Sequence, residues 1–117
     1  MKIAIACDHG ALALKNKVAD HLTQKGHEVT DFGTYTLDSC DYPEYAAAAA
    51  KAVADGSHDR GIVLCTTGIG VSIAANKVDG IRCALLHSPG EVSHLVGCVR
   101  EMKRRHPSGC LLFKFQF

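Results

Sequence analysis

The chain has 117 residues, 47% of them hydrophobic, with 13 basic and 12 acidic side chains for a net charge of +1. One domain, residues 1–117, is the default for that length, and so balanced a charge gives no electrostatic reason to expect a nucleic-acid or polyanion partner. No apolar run approaches the length of a membrane span. The short apolar start runs into Asp8 and is no signal peptide, so a soluble cytoplasmic protein without a membrane partner is expected.

Lys2 to Cys7 is a short apolar run closed by Asp8-His9-Gly10, which predicts a buried strand. Ala11 to Lys25 predicts a helix with Leu14, Val18 and Leu22 on one face and Lys15, Asn16 and Lys17 turned outward. Gly26 ends it. His27 to Phe32 reads as a second strand, ended by Gly33, and Thr34 to Asp41 as a polar loop. Pro43 suits the first turn of a helix. Glu44 to Ala54, with five consecutive alanines, has the highest helix propensity in the chain and small side chains that permit close packing. Gly61 to Cys65 is a third strand, Thr66 to Gly70 a turn, Val71 to Val78 a short helix and Ile81 to Leu86 a fourth strand. Beyond Ser88-Pro89-Gly90 the pattern changes. Glu91 to Arg105 can form a helix whose basic run Lys103-Arg104-Arg105-His106 is a solvated end. Cys110 to Phe117 reads as a terminal strand, apolar enough to aggregate if unpaired.

This alternation argues for parallel βαβ units: an α/β, three-layer, doubly wound (Rossmann-like) parallel sheet with helices on both faces. Ligands of such sheets sit at the carboxyl ends of the strands. Asp8 to Gly10, Gly33 to Pro43 and Cys65 to Gly70 fall there. The six cysteines include no C-x-x-C pair, so neither a disulfide framework nor a metal site is expected. Cys7, Cys65 and Cys83 stand in or at the ends of apolar runs, where cysteine acts as a small buried hydrophobe. His21, His27, His58 and His94 read as surface or packing residues.

The stretch that carries chemistry is Cys65-Thr66-Thr67-Gly68-Ile69-Gly70-Val71-Ser72, followed by Ile73 to Lys77. A strand delivers a cysteine to the sheet edge, two glycines let the backbone turn tightly, and a helix starts at once. Backbone N–H groups at that helix start favour an anion, and the same field suits a nearby thiolate. A thiolate beside an anion hole can remove a proton next to a carbonyl and hold the enediolate that results. Taken alone, the pattern also fits a tight βα turn after a buried cysteine. A dinucleotide site fits less well, because the first βα turn has only Gly10 and the second lacks the third glycine of the fingerprint.

Five motifs occur in order: Cys-Asp-His-Gly at 7–10, Asp-Phe-Gly-Thr-Tyr at 31–35, Asp-Tyr-Pro-Glu-Tyr-Ala at 41–46, Thr-Gly-Ile-Gly-Val-Ser-Ile-Ala-Ala-Asn-Lys at 67–77 and Gly-Ile-Arg-Cys-Ala-Leu at 80–85. Together they resemble the type B ribose-5-phosphate isomerase family, which includes the galactose-6-phosphate isomerase subunits. The Asp-Tyr-Pro and Ser-Ile-Ala-Ala-Asn-Lys stretches favour the ribose branch. The resemblance covers residues 1–87. It implies interconversion of ribose 5-phosphate and ribulose 5-phosphate, a step of the non-oxidative pentose phosphate pathway, without metal or organic cofactor. It implies Cys65 as the base that moves the proton between C1 and C2. Thr67 would be the hydroxyl that assists ring opening or polarises an oxygen. Thr66, Gly68, Ile69 and Gly70 would form the anion hole, and Asp8, His9 and Tyr42 would bind substrate, with His9 near the phosphate. Asn76, in the motif helix, is counted with the substrate-binding positions or as a brace for the loop. Asp8 and His9 could instead cap the helix that follows, and Tyr42 could pack under the loop. A homodimer is implied if residues 88–117 permit it.

Two departures from the family pattern stand out. Where the family carries Cys-Gly-Thr-Gly, this chain has Cys65-Thr66-Thr67-Gly68; if that position needs a positive φ, Thr66 is strained. After His87 the family's His-Asn-Asp motif, fifth strand and phosphate-binding arginines are not recognisable. His94, His106, Arg100, Arg104 and Arg105 stand outside any matching motif, and the tail reads as an atypical or truncated ending. The alternative to an active isomerase is therefore an inactive or weakly active sugar-phosphate-binding paralogue or shortened isoform.

Overall fold

In a computed structural model, residues 1–88, 90 and 91 are described in full and residues 110–114 as backbone. The chain forms β1 (Lys2–Cys7), a 3₁₀ turn (His9–Ala11), α1 (Leu12–Gln24), β2 (Glu28–Asp31), α2 (Tyr42–Ala54), β3 (Arg60–Leu64), α3 (Ile69–Asn76), β4 (Ile81–Leu85) and β5 (Cys110–Lys114). The five strands make one sheet in the order β2-β1-β3-β5-β4, every pairing parallel. This is the doubly wound α/β sheet expected from the alternation of elements.

Side chains alternate across a strand, and the alternation sorts the core into two layers. Ile3, Ile5 and Cys7 of β1, with Ile62 and Leu64 of β3, face α1 and pack with Leu14, Val18 and Leu22. Ala4 and Ala6 of β1, with Val63 and Cys65, face the other way onto α2 and α3. That second layer is built of small residues: Ala46, Ala49 and Ala50 of α2 are buried against Ala4 and Ala6. Alanine on both surfaces lets helix and sheet approach closely and keeps packing density high.

Element boundaries moved slightly. α2 begins at Tyr42, with Pro43 in its first turn. α3 begins at Ile69 rather than Val71, because Gly68 takes the left-handed conformation (φ 75°) that turns the chain into the helix. The terminal strand is not an exposed edge. Over Cys110–Lys114 it lies between β3 and β4, pairing Leu112 with Gly61 and with Cys83. A strand thus forms within the tail that matched no family motif. Residues 92–109 and 115–117 lie outside the described residues. They include most of the helix expected over 91–105, Cys98, His94 and the basic run at 103–106.

Lys15 overturns its expected outward position. It is 1% exposed. Its Nζ lies 2.8 Å from Asp31 Oδ2, donates to the Thr34 carbonyl and stands 5.0 Å from the centre of the Tyr35 ring. A helical period marks Lys15 as polar, but its long stem can bury along apolar surface while the ammonium finds a carboxylate. Asp31 also accepts from the Gly33 N–H at 2.8 Å, so one pair ties α1 to the end of β2 and the loop after it. His58 likewise has partners that sequence does not reveal: Thr30 Oγ1 at 2.8 Å and Ser57 Oγ at 2.9 Å.

Lys15 is buried while Asp31 is partly exposed, so removing the carboxylate leaves a buried ammonium without its charge partner, though still bonded to the Thr34 carbonyl. Asp31→Asn is expected to lower the unfolding free energy by about 2 kcal/mol in urea, with Lys15→Met in the same chain restoring part of it. A loss below about 1 kcal/mol would show that water or another carboxylate satisfies Lys15.

Cys7, Cys40, Cys65 and Cys83 are free thiols. Burial pushes the Cys7 thiol up from 9.0 to about 11, opposed more weakly by the nearby Lys15 charge, and burial pushes Cys83 up to about 12. The folded protein keeps these protons at a pH where the unfolded chain releases them. Their contribution is therefore complete below pH 9 and is lost as pH rises from about 9 towards 11 and 12. Thermal melts should show Tm falling over that interval, and falling less in a Cys7→Ala/Cys83→Ala variant; equal slopes would refute the assignment.

Candidate active site

The site begins with the pairing of β1 and β3. Cys7 is in register with Leu64, and the Asp8 N–H donates to the Leu64 carbonyl at 3.0 Å. The next residues along the two strands, Asp8 and Cys65, therefore leave the sheet side by side. α1 covers one face and α2 the other, so the chain winds away from this point in opposite directions. Crevices at such a switch point are where open α/β sheets bind ligands.

Asp8 performs two tasks. Its Oδ1 accepts from the Gly10 N–H at 3.0 Å and caps the 3₁₀ turn, and its side chain also lines the cleft. Capping the turn and lining the cleft are compatible because a carboxylate has two oxygens.

Cys65 is buried, and its Sγ accepts a hydrogen bond from the Gly68 N–H at 2.7 Å. The left-handed Gly68 aims that N–H back at the sulfur. Thr67 Oγ1 accepts from the Ile69 N–H at 3.4 Å, and the Ser72 N–H closes the first helical turn onto the Gly68 carbonyl at 3.0 Å. The first N–H groups of a helix have no carbonyl behind them, and here they open beside Cys65.

Two glycines make room for site side chains. A Cβ on Gly70 would lie 2.7 Å from Tyr42 Cζ and 2.9 Å from its hydroxyl. The Tyr42 ring thus lies against the backbone at the start of α3, lining the cleft rather than packing beneath the loop. A Cβ on Gly10 would lie 2.3 Å from Thr66 Oγ1. Thr66 itself is unstrained, since no described residue other than glycine has a positive φ. The condition for strain is therefore not met: the bare α-carbon of Gly10 accommodates the Thr66 side chain, and the left-handed turn of the loop falls on Gly68 instead.

These residues surround an open cleft of about 530 Å³. Of the expected site residues it brings together Asp8, Tyr42, Cys65, Thr66, Thr67, Ile69 and Gly70, and it adds Ile73. Ile73 was missed, although it follows Ile69 by one helical turn and so shares its face. Gly68 lies under the loop, holding the sulfur. His9 is exposed outside the cleft lining, with its Nδ1 3.9 Å from Cys40 Sγ. Asn76 stands away from the cleft. Its amide nitrogen donates to the Ser72 and Cys83 carbonyls at 2.8 and 2.9 Å, and its oxygen accepts from the Cys83 N–H at 2.8 Å. Those bonds engage the whole amide and brace α3 against β4. Among the described residues, no group of three or more His, Cys, Asp or Glu side chains is placed to hold a metal, and no helix is long and apolar enough to cross a membrane.

A doubly wound sheet with a loop-held thiol at its switch point defines the class, and comparison with known proteins supplies the family. The Ribose/Galactose Isomerase family matches residues 3–96, past the last recognisable motif, and the chain belongs to it. It is 49% identical over 88 residues to ribose-5-phosphate isomerase B of Escherichia coli K12, an alignment covering 75% of this chain and 59% of that protein. The ribose-5-phosphate isomerase B structure from Clostridium thermocellum superposes with a TM-score of 0.76 at 46% identity, covering 96% of this chain and 70% of that one. The Mycoplasma genitalium enzyme with bound ribulose 5-phosphate superposes with a TM-score of 0.74 at 36% identity, covering 97% and 71%. The chain spans about 59% of the length of the E. coli relative.

Gly70→Ala tests how the cleft wall is built. The clashing atoms are the far end of a side chain that is 41% exposed, so the ring can swing away at little cost to stability. Tm should stay within about 3 °C, which is under 1 kcal/mol for a domain of this size, while Tyr42 fluorescence changes and ligand affinity falls. Unchanged affinity would show that the ring's position is irrelevant to binding.

Proposed function

We propose that this chain interconverts ribose 5-phosphate and ribulose 5-phosphate, with Cys65 as the proton-transfer base. The observation that carries the reading is the Cys65 sulfur, oriented by the Gly68 N–H in one cleft with Asp8, Tyr42 and the start of α3. The Mycoplasma genitalium relative holding ribulose 5-phosphate supports the choice of substrate.

In the proposed reaction the Cys65 thiolate removes the proton from C2 of the open-chain aldose. The C–H electron pair becomes the C1–C2 double bond, and the carbonyl pair moves onto O1 as an enediolate. The thiol then returns the proton to C1, while the hydroxyl proton passes from O2 to O1, leaving the ketose. Backbone N–H groups of the 66–70 loop stabilise the oxyanion, which is where preorganised donors contribute most; those of Gly68 and Ile69 already donate to Cys65 and Thr67, so the remaining N–H groups of the loop face it first. The Thr67 hydroxyl polarises the oxygen or assists ring opening. Asp8 and Tyr42 hold the sugar, and His9, exposed beyond the cleft, meets the phosphate. No metal or organic cofactor takes part.

Ile69 and Ile73 are 54% and 55% exposed, one turn apart beside the cleft. This adjacent apolar surface is suited to contact with another chain, and in our reading a second copy of the chain covers it. The substrate and reaction class suit a cytoplasmic enzyme of pentose phosphate metabolism.

A coupled assay of ketose formation from ribose 5-phosphate tests the activity. Wild type should turn over, and Cys65→Ala should lower kcat by about 10²–10⁴-fold, the usual contribution of a positioned acid–base group. A cooperatively folded wild type without turnover would overturn the reading. In light scattering the wild type should run as a dimer and Ile73→Glu as a monomer; an unchanged mass would remove α3 from the interface.

A further inference from the structure

The Thr66 side chain has no part in the mechanism above, which uses only the loop backbone at that position. It nevertheless occupies a defined place. Its Oγ1 lies over the bare α-carbon of Gly10, where a Cβ would come within 2.3 Å of it and 3.4 Å of Asp8 Oδ1. The Thr66 hydroxyl and the Asp8 carboxylate therefore stand close together on either side of the Gly10 α-carbon, one from the β3 loop and one from the β1 turn, near enough for one ligand hydroxyl in the cleft to reach both. Both line the cleft. Among the described residues none hydrogen-bonds the Thr66 hydroxyl, whereas the neighbouring Thr67 hydroxyl accepts from Ile69. Thr66 is also β-branched, so its χ1 is stiff, and contact with Gly10 restricts it further.

We propose that the Thr66 hydroxyl and the Asp8 carboxylate form a subsite for one sugar hydroxyl, which makes Thr66 a specificity-determining residue. A carboxylate only accepts, while a threonine hydroxyl both donates and accepts. A sugar hydroxyl placed between them donates to Asp8 and accepts from Thr66, so all three groups are satisfied. A phosphate oxygen is the wrong occupant, because it would face the carboxylate charge. The subsite therefore reads the polyol part of the ligand, not its phosphate. The Cys-Gly-Thr-Gly form of the loop has no such hydroxyl, so the contact is particular to the Thr66 form. The inference rests on the cleft being a sugar-phosphate site.

Calorimetric titration of the full chain with ribose 5-phosphate and, separately, inorganic phosphate tests it. Thr66→Val keeps the β-branched shape and removes the hydroxyl; Thr66→Ser keeps the hydroxyl and removes the methyl. Valine should weaken ribose 5-phosphate binding about tenfold, the upper range for one neutral hydrogen bond, with phosphate binding unchanged within about twofold. Serine should stay within about threefold of wild type for both ligands. Valine binding the sugar phosphate as wild type does, serine losing as much as valine, or phosphate weakening in parallel would each overturn the subsite. Thermal melts of both variants separate these outcomes from misfolding, and serine still decides the matter if valine fails to fold. A wild-type chain that binds phosphate but not ribose 5-phosphate would instead reject the sugar-phosphate reading, and the subsite with it.

Discussion

The parallel pairing of β1 with β3 is the constraint on which the site depends. These strands are separated in sequence by a helix, a strand, a loop and a second helix, yet Cys7 and Leu64 are in register. One backbone hydrogen bond past that register, from Asp8 to Leu64, brings Asp8 and Cys65 out at the same cleft. A slip of one residue would exchange the two faces of a strand. It would turn Ile3 and Ile5 onto the alanine-lined face and Ala4 and Ala6 onto the α1 face. The packing that stabilises the sheet therefore also specifies the site geometry, because large and small residues alternate so regularly along β1.

The two faces of the sheet are covered by different means. On the α1 side, branched aliphatic residues fill the layer, and the ion pair of Lys15 with Asp31 closes its end. On the α2 side, alanine meets alanine, which draws the helix close to the sheet and brings Tyr42, the first residue of α2, to the cleft. Tyr42 reaches the start of α3 only because Gly70 presents no side chain there. Thr66 fits over Gly10 by the same device. Glycine matters at these two positions for the approach of a neighbouring side chain, whereas at Gly68 it matters for the left-handed turn.

The strand at 110–114 shows how a segment unlike its relatives can still complete a fold. A central parallel strand needs apolar side chains on both faces and free backbone hydrogen-bonding edges beside it. The Cys-Leu-Leu-Phe-Lys stretch meets the first need, and β3 and β4 supply the second. A strand position constrains residue character more than residue identity. The loss of sequence motifs after His87 is therefore compatible with retention of the sheet.

The sequence alone determined the alternation of strand and helix, hence the doubly wound class, the placement of Cys65 to Gly70 at a strand end and the family. Those conclusions rest on local periodicity, on turn residues and on motifs contiguous in the chain. Tertiary structure alone decided the inward turn of Lys15, since its partner Asp31 lies on another element and nothing in the helical period distinguishes it from Lys17. It alone placed Asn76 on Cys83, set Ile73 in the cleft and seated the Thr66 side chain over Gly10. Each of those outcomes depends on contact between residues distant in sequence, or on which helical face meets the cleft. Local pattern shows what a residue can do, and only the packed chain shows what lies within its reach.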